Sequence, residues 1–151
     1  MDNQINLIAE LNTSQILVGL DLGTKTIGVS VSDTLKIIAS PLTTIKRKGI
    51  EKDLHQLKEI LKDYNIGGFV LGLPINLDYS ENNQSQLVRN FNDELIKFFK
   101  LNSVLWDERF SSDVIFKELR KSNMSQNKIK KKLDQQSAAY ILQGYLDRYG
   151  N

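Results

Sequence analysis

The chain has 151 residues, no cysteine, a single histidine and a formal net charge of +2. Disulfide and thiolate chemistry are excluded, and with so small a net charge any argument for a nucleic-acid partner must be local. Apolar residues at 40% and charged residues at 25% describe an ordinary globular protein long enough to bury one full core. No apolar run is long enough to span a bilayer and no signal segment precedes the first strand, so the expectation is a cytoplasmic protein with no membrane partner.

Residues 1–15 are mostly polar, with scattered Ile5, Leu7, Ile8 and Leu11, and are expected to form an N-terminal tail with at most a short helical turn; a single domain covers 16–151. Apolar runs predict strands near 16–22 and 26–32, joined as an antiparallel hairpin across Gly23-Thr24-Lys25. A third strand near 37–45 contains Pro41, which suits an edge or irregular position. Leu54, Leu57, Ile60 and Leu61 recur at helical spacing and predict a helix over 49–64. Phe69 to Pro74 reads as a short buried strand ended by a turn, and Leu87, Val88, Phe91, Leu95 and Phe98 mark a helix over 83–100. Ser103 to Glu108 reads as the last strand, with a helix over 112–120 capped by Ser111 or Ser112. Asp134 is expected to open the final helix, with Ala138, Ile141, Leu142, Tyr145 and Leu146 on its inner face. Three strands followed by alternating helices and strands argue for an α/β protein, a mixed sheet with helices on its faces.

Acidic residues stand out against this pattern. Asp21 lies near the end of an apolar strand, where an ionised carboxylate is costly unless a cation or hydrogen bonds compensate it. Asp107 and Glu108 end the last strand and point to opposite sides of it, so spacing does not say which of them meets Asp21. Asp134 heads the buried stripe of the final helix. If the first and last strands run parallel, their C-terminal ends are neighbours, and open sheets bind ligands there. Three converging carboxylates form an oxygen-rich pocket of the kind that Mg²⁺ or Mn²⁺ prefers, and one or two such ions support in-line phosphodiester hydrolysis. The plainer alternatives are a glycine-turn contact for Asp21, a surface ion pair for Glu108 and a helix cap for Asp134. His55 sits among Glu51, Lys58, Glu59 and Lys62 and reads as a surface residue.

Four segments in order, Gly19-Leu20-Asp21-Leu22-Gly23-Thr24-Lys25, Gly72-Leu73-Pro74 with Asn76 and Asp78, Asp107-Glu108-Arg109-Phe110-Ser111-Ser112, and Asp134-Gln135-Gln136-Ser137-Ala138-Ala139, resemble the YqgF family of pre-16S ribosomal RNA nucleases, also described as Holliday-junction-resolvase-like proteins. The resemblance covers roughly residues 16–147. It implies a ribonuclease H-like fold, a five-stranded mixed sheet whose first three strands are antiparallel and whose last two run parallel to the first. It also implies that Asp21, Glu108 and Asp134 are the catalytic and metal-holding acids, Glu108 matching the acid of the Asp-Glu-Arg motif. The implied activity is a metal-dependent nuclease that processes the 5′ end of pre-16S ribosomal RNA, with branched DNA as the alternative substrate and ribosomal precursor particles as the setting. Two departures, Thr26 where the family often has Arg and Tyr79 where it often has Gly, remove no carboxylate.

A local basic cluster fits a nucleic-acid partner. Arg120, Lys121, Lys128, Lys130, Lys131 and Lys132 occur with no acidic residue among them, and Ser122 to Asn127 between them reads as a loop. Lys128, Lys130, Lys131 and Lys132, together with Lys25 and Arg109 beside the acids, are the expected phosphate contacts. A solvated lysine-rich connection is the plainer alternative. Aromatic residues form no dense stacking platform, so backbone and shape contacts to structured RNA are expected rather than base readout. Two further readings are a non-cleaving nucleic-acid binder and a sugar-kinase-like phosphotransferase, whose Asp-x-Gly-Thr turn is similar. The phosphotransferase needs a second lobe, and 151 residues supply one.

Overall fold

The computed structural model describes residues 6–76, 78, 80–107 and 126–150, with 126–135 described in their backbone only. Five strands, β1 (Ile16–Leu22), β2 (Thr26–Ser32), β3 (Ala39–Lys46), β4 (Ile66–Leu73) and β5 (Asn102–Asp107), form one sheet in the order β3-β2-β1-β4-β5. The β1–β2 and β2–β3 pairs are antiparallel hairpins, whereas β4 and β5 join parallel to β1. Parallel neighbours require crossovers, and helices α2 (Ile50–Ile60) and α3 (Asn83–Phe99) supply them. The expected mixed five-stranded sheet is therefore the fold of this chain.

Alternation along the strands divides the side chains between two layers. Val18, Leu20 and Leu22 of β1, Phe69, Leu71 and Leu73 of β4, and Ile27 and Val29 of β2 pack with Leu54 and Leu57 of α2 and with Val88, Phe91 and Leu95 of α3. Each fully buried side chain of this size contributes about 1.5–3 kcal/mol relative to exposure. On the other face Leu17, Val70 and Val104 pack against Ile141, Leu142, Tyr145 and Leu146 of the last helix, α4 (Gln126–Tyr149). Helices thus cover both faces, as expected.

The structure differs from the sequence reading at several places. The short helical turn expected before residue 16 is α1 (Leu7–Glu10), but its Leu7 belongs to the core beneath α4, where its N–H donates to Tyr145 Oη at 2.9 Å. Strand β4 starts at Ile66 rather than Phe69, because Gly67 and Gly68, poor strand formers, are placed where a Cβ would meet Leu11 Cδ2 at 2.1 Å and the Asn102 carbonyl at 3.0 Å. Helix α4 is already formed at Gln126, so Asp134 does not open it, and Gln126 and Asn127, expected in a loop, are helical, as are Lys128, Lys130, Lys131 and Lys132. The lysine run is itself a good helix former, and the polar stretch before it concealed that. Pro41 sits on the edge strand, at a register irregularity opposite Ser30, as its lost N–H requires. The helix expected over 112–120 lies outside the described residues.

Candidate active site

Asp21 is the penultimate residue of the central strand. Its cross-strand partner on β2 is Gly28, whose own partner on β3 is Thr44, so the three form one row across the sheet. The row faces α4. Two residues before Asp21, a Cβ on Gly19 would meet Leu142 Cβ at 2.6 Å and the Ala138 carbonyl at 2.9 Å, and Ser30 Oγ donates to that same carbonyl at 2.7 Å. Residues two apart on a strand share a face, so Asp21 is on the α4 side, partly buried. Gly19 is glycine because a helix lies on it, and Gly28 leaves the floor beside Asp21 without a side chain.

The direction of α4 decides which of its turns approaches Asp21. Tyr145 packs with Leu17 and Leu7 near the start of β1. Leu142 and Ala138 lie over Gly19, further along the strand. The helix therefore runs from the C-terminal end of β1 toward its beginning, and one turn before Ala138 its backbone reaches position 134 at the end where Asp21 lies.

Asp107 takes the opposite side. It pairs with Leu73, a residue of the α2–α3 core, and Ser103 on the same face of β5 donates to Asn92 of α3. The α4 face of β5 belongs to Val104 and Trp106. Of the two acids that spacing left open, Asp107 is thus turned away from Asp21. Glu108 and Arg109, and the side chains of Lys128, Lys130, Lys131, Lys132 and Asp134, lie outside the described residues. Among the described residues no three Asp, Glu or His groups gather as a metal cluster. The histidine is exposed, edge-to-face with Phe98 at 5.0 Å on the far face of the sheet, as a surface residue should be.

The turn after Asp21 is held by residues that pattern reading did not single out. Gly23 N–H closes the turn on the Thr26 carbonyl at 2.8 Å. The Leu22 carbonyl accepts from Gln84 Nε2 of α3 at 2.9 Å, the Gly23 carbonyl from Arg47 Nη1 at 3.1 Å, and the Lys25 carbonyl from the Arg47 backbone N–H at 2.9 Å. Arg47 is anchored in turn by the fully buried carboxylate of Asp53, 3.1 Å from its Nε, and lies over the Phe91 ring. Asp53 also accepts from Lys48 N–H at 2.8 Å, satisfying the chain where Gly49, at a φ of 125°, leads into α2 without a side-chain cap. The signal available in the sequence was an Arg six residues before an Asp in the first turn of a predicted helix; it is too common to single out alone.

A mixed sheet of this order with a carboxylate at the C-terminal end of its central strand defines the class: a ribonuclease H-like α/β protein. The Holliday junction resolvase family RuvX matches residues 15–148, and the chain belongs to this nuclease family, which is the one the motifs resemble. Two relatives, each named "Putative pre-16S rRNA nuclease", come from Rhodobacter capsulatus and Nitrobacter hamburgensis. The first is 46% identical over 132 residues, covering 87% of this chain and 83% of its own; the second is 47% identical, covering 87% and 81%. Among solved structures, T. thermophilus RuvC in complex with a Holliday junction substrate shares the fold at a TM-score of 0.52 with 13% identity, over 90% of this chain and 96% of the other.

Proposed function

We propose that this chain is a metal-dependent nuclease that matures the 5′ end of pre-16S ribosomal RNA, acting on precursor particles in the cytoplasm. The observation that carries the reading is the placement of Asp21: a carboxylate at the C-terminal end of the central strand, on the face covered by α4, with a bare glycine beside it. The relatives' names supply the substrate.

Asp21, Glu108 and Asp134 are the acids of the site in this proposal. The direction of α4, whose backbone at position 134 lies toward the end of β1 that carries Asp21, supports this reading. A residue following Asp107 that continued the alternation of β5 would share the face of Trp106, which is also the face of Asp21. Carboxylate oxygens with no sulfur or imidazole among them suit a hard cation, so one or two Mg²⁺ or Mn²⁺ ions are the fitting occupants. A bound divalent cation supplies Lewis-acid stabilisation of the charge that develops on the phosphate. The chain's own part is to hold the acids in register from separate strands and a helix. Lys25, on the turn after Asp21, and Arg109 beside the acids contact the phosphate backbone; Lys128, Lys130, Lys131 and Lys132 of α4 extend that contact.

The test incubates purified protein with end-labelled pre-16S RNA and with a four-way DNA junction, each in Mg²⁺, Mn²⁺ or EDTA. Cleavage of the RNA that needs the cation and disappears with Asp21→Asn is the expected result. Resolution of branched DNA is the second reading, favoured by the family's description as a resolvase. Cutting of the junction with the RNA left intact would establish it instead.

A further inference from the structure

We infer that Arg47, backed by Asp53, is a positioning residue for the proposed reaction: it fixes the turn that leaves Asp21 and carries Lys25. The inference rests on Asp21 being an acid of the site. Three carbonyls of the segment after Asp21 accept hydrogen bonds from outside the hairpin: that of Leu22 from Gln84, that of Lys25 from the Arg47 backbone N–H as the β2–β3 pairing continues, and that of Gly23 from the Arg47 guanidinium, the bond that needs an arginine. A three-residue hairpin loop does not need this. The ladder up to Leu22–Ile27 and the Gly23–Thr26 bond already close it.

The chemistry of the anchor points the same way. The Asp53 side chain is 0% exposed and that of Arg47 16%. Removing an ion pair from water costs several kcal/mol per ion, and apolar residues of similar volume often stabilise a fold as well or better. Arg47 lies over the ring of Phe91, a buried residue of the α2–α3 core, so an apolar replacement would have had a partner to pack on. What an apolar pair could not supply is a planar guanidinium that bonds a carboxylate on one edge and a loop carbonyl on another. The pair therefore confers geometry on the turn rather than stability on the core. Misplacing a reacting group by about 1 Å costs on the order of 10²-fold in rate, so a fixed turn is worth maintaining beside the acid.

The experiment compares Arg47→Met combined with Asp53→Leu, and separately Arg47→Lys, with the wild type in three measurements. These are thermal unfolding, hydrogen exchange of the Gly23–Thr26 turn, and kcat against KM on whichever substrate the wild type cleaves. The double variant is expected to melt only a few degrees lower, because Asp53→Leu also leaves the Lys48 N–H without its acceptor, but to exchange the turn amides at least about 10-fold faster and to lose about 10-fold or more in kcat with KM nearly unchanged. Arg47→Lys keeps the charge but not the fork, and is expected to move exchange and kcat in the same direction by a smaller factor; it carries the test if the double variant does not fold. Either folded variant with wild-type turn exchange and wild-type kcat would overturn the inference. Asp21→Asn is assayed beside them. If it stays active, the reading of Asp21 fails, and turn exchange alone then decides what Arg47 holds. If it is inactive while the Arg47 variants are fully active, only the role of Arg47 fails.

Discussion

The two faces of the sheet are built from the same strands and are chemically unlike. Toward α2 and α3 the strands present Val18, Leu20, Leu22, Ile27, Val29, Phe69 and Leu71, all almost wholly buried. Toward α4, the centre of the same sheet presents Gly19, Asp21, Gly28 and Ser30. The first face is filled by side chains and stabilises by removing apolar area from water. The second lets a helix backbone come down onto the sheet, with Ser30 satisfying a helix carbonyl, and places a carboxylate beside a glycine at the C-terminal end of β1. Both faces carry a buried apolar core, but the residues that suit chemistry lie on the second.

Breaking the second face at its proposed centre should have the largest effect. Asp21→Asn is expected to lower cleavage by about 10³-fold while leaving the fold intact, read as cleavage rate beside a circular dichroism melt. A melt that shifted as far as the rate would show that the two faces are not separable. The complementary change is Leu71→Ala. It should cost about 2–5 kcal/mol by chemical denaturation and leave the rate per folded molecule unchanged.

Gly19→Ala sharpens the contrast because it tests both properties at one position. Its Cβ would fall 2.5 Å from Ser30 Oγ and 2.6 Å from Leu142 Cβ, neither of which is the free end of a flexible chain, so α4 must lift. A loss of about 1–3 kcal/mol is expected, and with it a loss of activity beyond that of Leu71→Ala, since α4 carries position 134. Replacing Lys130, Lys131 and Lys132 together by Ala should weaken binding of labelled RNA and flatten its dependence on salt by up to about one unit of log–log slope per phosphate contact removed. An unchanged slope would remove those lysines from the interface.

The smallest effect concerns the base of α4. Burial raises the Tyr145 hydroxyl above its ordinary pKa of 10.0, an effect that its hydrogen bond from Leu7 only partly opposes. The neutral phenol is therefore favoured in the folded state. Its contribution is fully present below the unfolded value near 10 and is lost as pH rises through the higher folded value. Tyr145→Phe should accordingly flatten the decline of stability with pH above about 10, measured by denaturant titration at several alkaline pH values.

Pattern in the sequence reached far into the fold. Periodicity placed β1, β2 and α3 within a residue of their bounds, and Pro41 marked the edge strand, because period and proline chemistry are local properties. It failed at Gly67 and Gly68, at Leu7 and at the start of α4, where contacts distant in sequence decide the local conformation. For the site, a charged residue in an apolar strand was conspicuous by composition alone. The residues that hold its turn were not. Arg47, Asp53 and Gln84 look like any polar residues near helix starts until the crossovers bring them to the end of β1.

What the sequence determined alone was the alternation and the helical stripes, and through its ordered motifs the family; each depends on neighbours a few residues apart or on residue identity. What tertiary structure alone decided was facing and direction. Asp21 looks toward α4 and Asp107 away from it, because strand pairing fixes which side each residue takes. The antiparallel course of α4 brings position 134 rather than its C-terminal end to Asp21, because the packing of Tyr145 and Leu142 along β1 orients the helix. The course of α4 follows from contacts more than a hundred residues apart in the chain, Leu7 with Tyr145 and Ser30 with Ala138, which no local pattern encodes.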